Sequence, residues 1–284
     1  MELYKSIEAF YKFSDSPHQR VGTGLKLIDD LIGGPAPGEL AMVLGRSYAG
    51  KSLMGQNIIM NNPTVPSIFF SMEMPETMAI ARMYSIWTNE DATDVQRAAE
   101  TATLPNDVWD MAVAFPHHEI IDTPSLGTDQ MSAHLDRFEQ YHKVRPEFVV
   151  IDYLELLGGA KVSGEGMLAV EAQVTRLKNW AKTEAMRVWV LHQTNRVEPR
   201  WLPPTADSAR WGGYTESDFV VGMWRPHWDP SIKNYWEKVE MTNLVCFNVT
   251  KNRAYGKDAD ELRYRLLPSL RLEEDTYQHP KDHG

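Results

Sequence analysis

The 284-residue chain has one cysteine, Cys246. A single thiol cannot form an intramolecular disulfide, and it excludes a cysteine-rich metal centre. A reducing cytoplasm is the simplest home for such a chain. There is also no apolar run of the about 18 residues that a membrane span requires. The start, Met1-Glu2-Leu3-Tyr4-Lys5, lacks the apolar core of a secretory leader. No membrane contact is expected. Positive charge is in deficit: 29 Lys and Arg against 39 Asp and Glu leave a net −10. Proteins that coat duplex DNA non-specifically carry the opposite balance. Any nucleic-acid contact here has to be local, through a few loops lining a channel. Internal repeats, low-complexity tracts and long linkers are missing as well.

What is present starts with Gly45-Arg46-Ser47-Tyr48-Ala49-Gly50-Lys51-Ser52. The run fits G-x-x-x-x-G-K-[ST], the phosphate-binding loop of nucleotide hydrolases. The apolar Leu40–Leu44 before it reads as a buried strand, and Ser52–Met60 after it as a helix. That context turns a text match into a site. Gly45 and Gly50 let the backbone wrap an anion, and the N–H groups of the loop and of the helix start point at the phosphates. Arg46 lies within this cradle. Lys51 adds a full positive charge, and the Ser52 hydroxyl is placed to ligate Mg²⁺.

A hydrophobic fraction of 43% allows a sizeable core, and the length fits one large α/β domain better than two small ones. Short apolar runs recur at Ser67–Phe70, Glu119–Ile121, Phe148–Ile151, Val188–Leu191, Phe219–Val221 and Val245–Val249. Helical stretches at Met74–Ile86, Thr128–His142 and Leu168–Ala185 separate the earlier ones. Strands alternating with helices predict an α/β fold, a mostly parallel sheet covered on both faces. The later strands lack intervening helices, so that edge is expected to run antiparallel. Glu261–Glu273 reads as a closing pair of strands around Pro268-Ser269. Residues 1–20 read as a short amphipathic helix and a linker, with Leu3, Ile7, Phe10 and Tyr11 on one face. It packs either on its own domain or on a neighbouring subunit. The main domain is expected over 21–274, and a polar, frayed tail over 275–284.

A phosphate loop alone does not hydrolyse ATP; a metal carboxylate, a water-positioning group and a transition-state cation are also needed. Asp152 ends the apolar Phe148–Ile151 run, at the sheet edge where open parallel sheets bind ligands. It is the candidate partner of Mg²⁺, the bland alternative being a capping Asp. Glu73 follows Ser67–Met72 and is placed to polarise water, unless it is only a first-turn helix Glu favoured by the dipole. Gln193 closes Val188–His192 and offers a neutral amide to a terminal phosphate. Lys251 and Arg253 alternate along a strand and so share a face; solvated edge charge is the alternative. His117-His118 has no evident third ligand. Trp201, Trp211, Trp224, Trp228 and Trp236 are read as packing or subunit contacts, with Trp211 beside Arg210 the one candidate for base stacking.

In order, these motifs resemble the ATPase domain of DnaB-type replicative helicases, a branch of the RecA-like motors. The resemblance is carried by Val21–Gly34 leading to Gly45-Arg46, by Ser71-Met72-Glu73-Met74 and by Val150–Leu156. Leu191–Arg196 and Lys251-Asn252-Arg253 complete it, spanning about Val21 to Gly256. It implies a RecA-like P-loop ATPase fold. It implies that Lys51 and Ser52 hold phosphates and metal, that Glu73 activates water, that Asp152 serves the metal and that Gln193 senses the terminal phosphate. It implies that Lys251 and Arg253 reach a neighbouring subunit's nucleotide, so that hydrolysis requires a homo-oligomer, expected to be a hexamer. Departures are Ser47 in place of the family's proline, His192 before Gln193, and a loose Asp207–Asp218 segment. In the family that segment holds single-stranded DNA, which makes Arg210 and Gly213 the candidate DNA contacts. Lys161, in the Gly158–Gly166 loop, is a second pore candidate, with a flexible exposed lysine as its alternative. About 20 residues precede the motor, so the family's primase-binding domain is expected to be absent, as in short phage-encoded forms. Replisome partners would be a primase or a loader, and the location the cytoplasm, the host's for a phage protein. The rival readings are a RecA- or KaiC-like ATPase that does not unwind, and an assembly protein that uses ATP only to oligomerise.

Overall fold

The computed structural model describes residues 2–16, 18–154, 166–194, 199–205, 208 and 214–276. Its strands are β1 (Leu40–Gly45), β2 (Ser67–Ser71), β3 (His118–Asp122), β4 (Phe148–Asp152), β5 (Arg187–Gln193), β6 (Phe219–Trp224), β7 (Leu244–Asn252), β8 (Ala259–Leu266) and β9 (Leu272–Glu274). They form a nine-stranded sheet in the order β3-β2-β4-β5-β1-β6-β7-β8-β9. The six from β3 to β6 are parallel, and β7, β8 and β9 add on antiparallel. Between β7, β8 and β9 no helix intervenes, as expected, but the first antiparallel pair, β6 and β7, is still joined through a short helix at Tyr235–Glu240.

The helices are α1 (Glu2–Ser14), α2 (Lys26–Ile32), α3 (Lys51–Met60), α4 (Glu76–Thr88), α5 (Ala92–Glu100), α6 (Val108–Ala114), α7 (Thr128–His142), α8 (Gly166–Thr183) and α9 (Tyr235–Glu240). Alternate strand residues point to opposite faces. Ala41, Val43, Phe69, Val150, Trp189 and Leu191 meet α2, α3 and α4 on one side. Leu40, Met42, Leu44, Phe70, Val149 and Val190 meet α7 and α8 on the other. With both faces covered, the central strands read as unbroken apolar runs. Among the described residues no helix is long and apolar enough to cross a membrane.

Some boundaries moved. The Met74–Ile86 stretch begins as a helix only at Glu76, because Pro75 takes the N-cap position and the Ser71 hydroxyl binds the Met74 carbonyl at 2.6 Å. Asp275 is no frayed end. Its N–H donates to the Arg263 carbonyl at 3.0 Å, and its carboxylate accepts from Arg265 Nε at 2.7 Å. Helix α1 forms with Leu3, Tyr4, Ile7, Phe10 and Tyr11 exposed.

Cys246 is buried in β7, and burial pushes its thiol up to about 12, with the nearby Glu261 adding to the shift. The thiolate is the reactive form. The folded protein should therefore resist a thiol reagent at mildly alkaline pH and take up one equivalent after unfolding in guanidinium. Prompt labelling of the native protein would contradict the packing of β7 against β6 and β8.

Candidate functional site

Four adjacent strands deliver four groups to one edge. In the order β2-β4-β5-β1 their C-terminal ends lead to Glu73, Asp152, Gln193 and the Gly45–Ser52 loop. Register sets them level: Ser71 pairs with Asp152 and Gly45 with Gln193. The expected nucleotide residues are thus brought together by sheet topology, from positions far apart in sequence.

Helix α3 starts at Lys51 with Gly50 as its N-cap, at φ +109°. That conformation favours glycine, and a Cβ there would also lie 2.9 Å from the Met223 side chain. Gly55 lets α3 lie flat on the sheet: a Cβ would come within 3.0 Å of Val150 and 3.2 Å of Leu191. The close approach aims the N-terminus of α3, with the N–H groups of its first turn, at the loop's concavity. Lys51 is buried, and its Nζ donates to the Arg46 carbonyl at 3.2 Å. Ser52 is partly buried behind it, and Tyr48 stands 89% exposed at φ +67° on the lip.

Asp152 is 1% exposed. Among the described residues neither of its carboxylate oxygens has a hydrogen-bond partner. Burial pushes its carboxyl up to about 6. The Ser52 hydroxyl beside it pulls the other way, the Glu73 charge adds to the rise, and Lys51 and Arg82 oppose it. A buried carboxylate stabilised only by the neighbouring Ser52 hydroxyl and the more distant Lys51 and Arg82 charges is costly, and a divalent cation shared with the Ser52 hydroxyl would supply what is missing. The donor set, one carboxylate and one hydroxyl with room for phosphate oxygens and water, suits Mg²⁺. Glu73 is exposed at the mouth, where a carboxylate can meet water.

Lys251 and Arg253 are not at this edge. β7 runs antiparallel to β6, so Lys251 pairs with Val220 and Asn252 with Phe219, level with Met42 and Ala41 of β1. Arg253 falls level with Leu40, five residues before Gly45. At about 3.3 Å per residue it lies roughly 17 Å along the strand direction from the phosphate loop, and two strand spacings of about 4.8 Å to the side. An extended arginine cannot cover that. The expectation that strand alternation aligns the pair needs correction. β7 ends at Asn252, and Arg253 opens the turn that follows. The two are nonetheless neighbours. Lys251 Nζ donates to the carbonyls of Tyr214 (3.0 Å) and Thr215 (2.7 Å). Arg253 donates to Asp218 Oδ1 at 3.0 Å. Partial burial, then the Arg253 charge, lowers the Lys251 pKa.

The expected DNA contacts Arg210, Gly213 and Lys161 lie outside the described residues, as does Trp211. Trp224 is buried, Trp228 carries the Arg200 guanidinium 4.5 Å above its ring, and Trp236 is exposed. His118 bonds Ser67 and the Pro63 carbonyl. Sequence reasoning missed Arg82 beside Asp152 and the part of Asp218 beneath Arg253. Both are ordinary charged residues in their own stretches, and only the folded sheet brings them to their partners.

A family model described as the DnaB-like helicase C-terminal domain matches residues 20–264. The replicative DNA helicase DnaB of Leifsonia xyli is 28% identical over 221 residues, covering 74% of this chain and 47% of that protein. That of Treponema pallidum is 25% identical over 229 residues, covering 78% and 51%. The chain spans about half the length of these curated relatives. Two solved structures share its fold. One, described as an ATPase domain, superposes with a TM-score of 0.76 at 17% identity, covering 96% of this chain and 98% of that one. A DnaB-like replicative helicase, described with its interactions with primase, gives 0.72 at 18% identity, covering 95% and 64%.

Proposed function

The chain belongs to the family of DnaB-like helicase C-terminal domains, and from that premise we propose that it is the motor of an ATP-driven replicative DNA helicase that works as a ring. The observation that carries the reading is the separation of Arg253 from its own phosphate loop by the length of a strand. A motor needs both halves at one nucleotide, so the second half has to come from another copy.

In this reading ATP binds between two chains. Gly45–Ser52 and the start of α3 hold the phosphates, and Arg46 lines the cradle. Mg²⁺, held by Ser52 and Asp152, would neutralise phosphate charge. Glu73 takes the proton of the attacking water, and Gln193 reports the presence of the terminal phosphate to β5. Lys251 and Arg253 of the next chain stabilise the charge of the transition state. Loops carrying Arg210, Gly213 and Lys161 are proposed to line the pore and grip single-stranded DNA, moving as nucleotide state changes around a ring of six.

Helix α1 fits the same plan. Its apolar face is exposed, and an apolar groove of about 660 Å³ opens between α4, α6, β3 and α7, lined by Ile80, Met83, Trp109, Phe115, Ile120 and Tyr141. Seating α1 of one copy in that groove of the next would close the ring while burying both surfaces. A primase or loader would be a further partner, and the cytoplasm the location, the host's if the chain is phage-encoded. The family match supports this reading over a RecA- or KaiC-like ATPase that does not unwind.

Strand displacement on a forked DNA with ATP and Mg²⁺ tests it. The wild type should separate the strands and Lys51→Ala should not. ATP hydrolysis stimulated by single-stranded DNA, without strand separation by wild type, would sink the helicase reading.

A further inference from the structure

We propose that Asp218 is the positioning residue for the Arg253 guanidinium, an inference that rests on the reading of Arg253 as the cation supplied to a neighbouring chain. Asp218 precedes β6 and is buried. Its main chain bonds on both sides: its N–H donates to the Leu40 carbonyl at 2.8 Å, and its carbonyl accepts the Arg253 N–H at 3.0 Å. Its carboxylate is divided. Oδ2 accepts the Leu40 N–H at 2.8 Å and pairs with Lys178 of α8. Lys178 is itself buried and donates to the Gly38 carbonyl at 2.8 Å. Oδ1 is left to face outward, and it receives the Arg253 guanidinium at 3.0 Å.

One oxygen therefore fixes the carboxylate to the sheet and to α8, and the other fixes the arginine. The Arg253 side chain is 56% exposed while its partner is 5% exposed. An arginine so exposed would ordinarily sample many rotamers, and ordering it at the moment of reaction would slow the step. A charge-assisted hydrogen bond to an immobile carboxylate sets the orientation beforehand. The turn that carries Arg253 is braced too. The Asn252 amide donates to the carbonyls of Leu31 and Lys257 at 3.0 Å each, and its oxygen accepts the Tyr255 N–H at 3.1 Å. Asp218 lies at the sheet edge opposite Asp152, so it cannot serve the metal of its own chain.

Removing Asp218 alone would strand Lys178 as a buried unpaired charge, so the test pairs Asp218→Asn with Lys178→Met. Steady-state ATP hydrolysis with single-stranded DNA is compared for wild type, Arg253→Ala, the paired variant and the triple variant. The paired variant should keep its KM for ATP and its oligomeric state and lose about 10- to 100-fold in kcat, the range a charge-assisted hydrogen bond covers. The triple variant should be no slower than Arg253→Ala, because the two act as one unit. Wild-type kcat in the paired variant, or losses that multiply in the triple, would overturn the inference. Full turnover by Arg253→Ala alone would overturn the earlier reading and this one with it, and that control tells the two failures apart. If the paired variant does not fold, Asp218→Glu, which keeps the charge and shifts it by one methylene, reads the same split between kcat and KM.

Discussion

Arg253→Ala should lower ATP turnover in the presence of single-stranded DNA by about 10³- to 10⁵-fold, the span seen when a transition-state arginine is lost. It should do so without weakening nucleotide binding to the chain that carries the change. Arg253 stands level with Leu40 at one edge of the sheet, while the phosphate loop leaves the other edge at Gly45. No part of the nucleotide-binding half of that chain is touched. Binding of a fluorescent ATP analogue to isolated chains, measured beside steady-state kcat, separates the two effects. Loss of analogue binding in isolated Arg253→Ala chains, or unchanged turnover in the oligomer, would remove the trans assignment. Lys251→Ala should follow the same pattern. Its ammonium is held on the Tyr214 and Thr215 carbonyls beside Arg253.

Asp152→Asn should abolish hydrolysis and at the same time make the nucleotide-free protein harder to melt. The Asp152 carboxyl is buried, and burial, with the Glu73 charge adding, lifts it from 3.8 to about 6. The sign follows from linkage. A raised acid pKa means that the folded state resists ionisation more than the unfolded chain does. The charged form therefore costs stability above about pH 6, and the cost fades as pH falls towards 4. At about 1.4 kcal/mol per unit, the neutral amide should recover about 2–3 kcal/mol at neutral pH, or roughly 5 °C or more in Tm for a chain of this size. The advantage over wild type should vanish by about pH 4, where Asp152 is itself neutral. Equal melting temperatures at neutral pH would show that the carboxylate is compensated in the free protein. Strain or unmet charge kept at a site that works only with its ligand is the usual trade between stability and activity.

The phosphate loop, the strands either side of it and the Asp152 carboxylate were legible because each is local. Apolar runs of three to five residues mark strands in a buried parallel sheet, and a polar group at the end of such a run marks the strand end; the loop's glycines and lysine sit at fixed spacing. The antiparallel edge was expected from an absence of helices, a reason that holds for β7 to β9 but not for the β6–β7 connection, which contains α9. Helices α5, α6 and α9 were not legible. Each is short: α6 and α9 have no buried residue and α5 only Val95, which leaves little apolar stripe for periodicity to detect. The groove that α4 and α6 form with β3 was unreadable for the same reason. The proximity of Lys251 and Arg253 has a basis the sequence could not supply. Strand alternation suggested a shared face with Lys251, whereas the fold ends β7 at Asn252 and brings the two together through Asp218 and the 214–215 carbonyls. Contacts between residues 35 or more positions apart, such as Asp218 with Arg253 and with Lys178, have no local signature at all.

The central claim is that each nucleotide site is built from two chains. Mixing two inactive variants tests it most directly. Lys51→Ala chains keep Arg253 but have a dead phosphate loop, and Arg253→Ala chains keep the loop but lack the cation. Where an Arg253→Ala chain receives its neighbour's arginine from a Lys51→Ala chain, one complete site is restored. With mixed oligomers confirmed by native mass spectrometry, the account predicts that ATP hydrolysis returns on mixing, to a level set by the proportion of the two chains. Mixed oligomers that remain as inactive as either parent would contradict it.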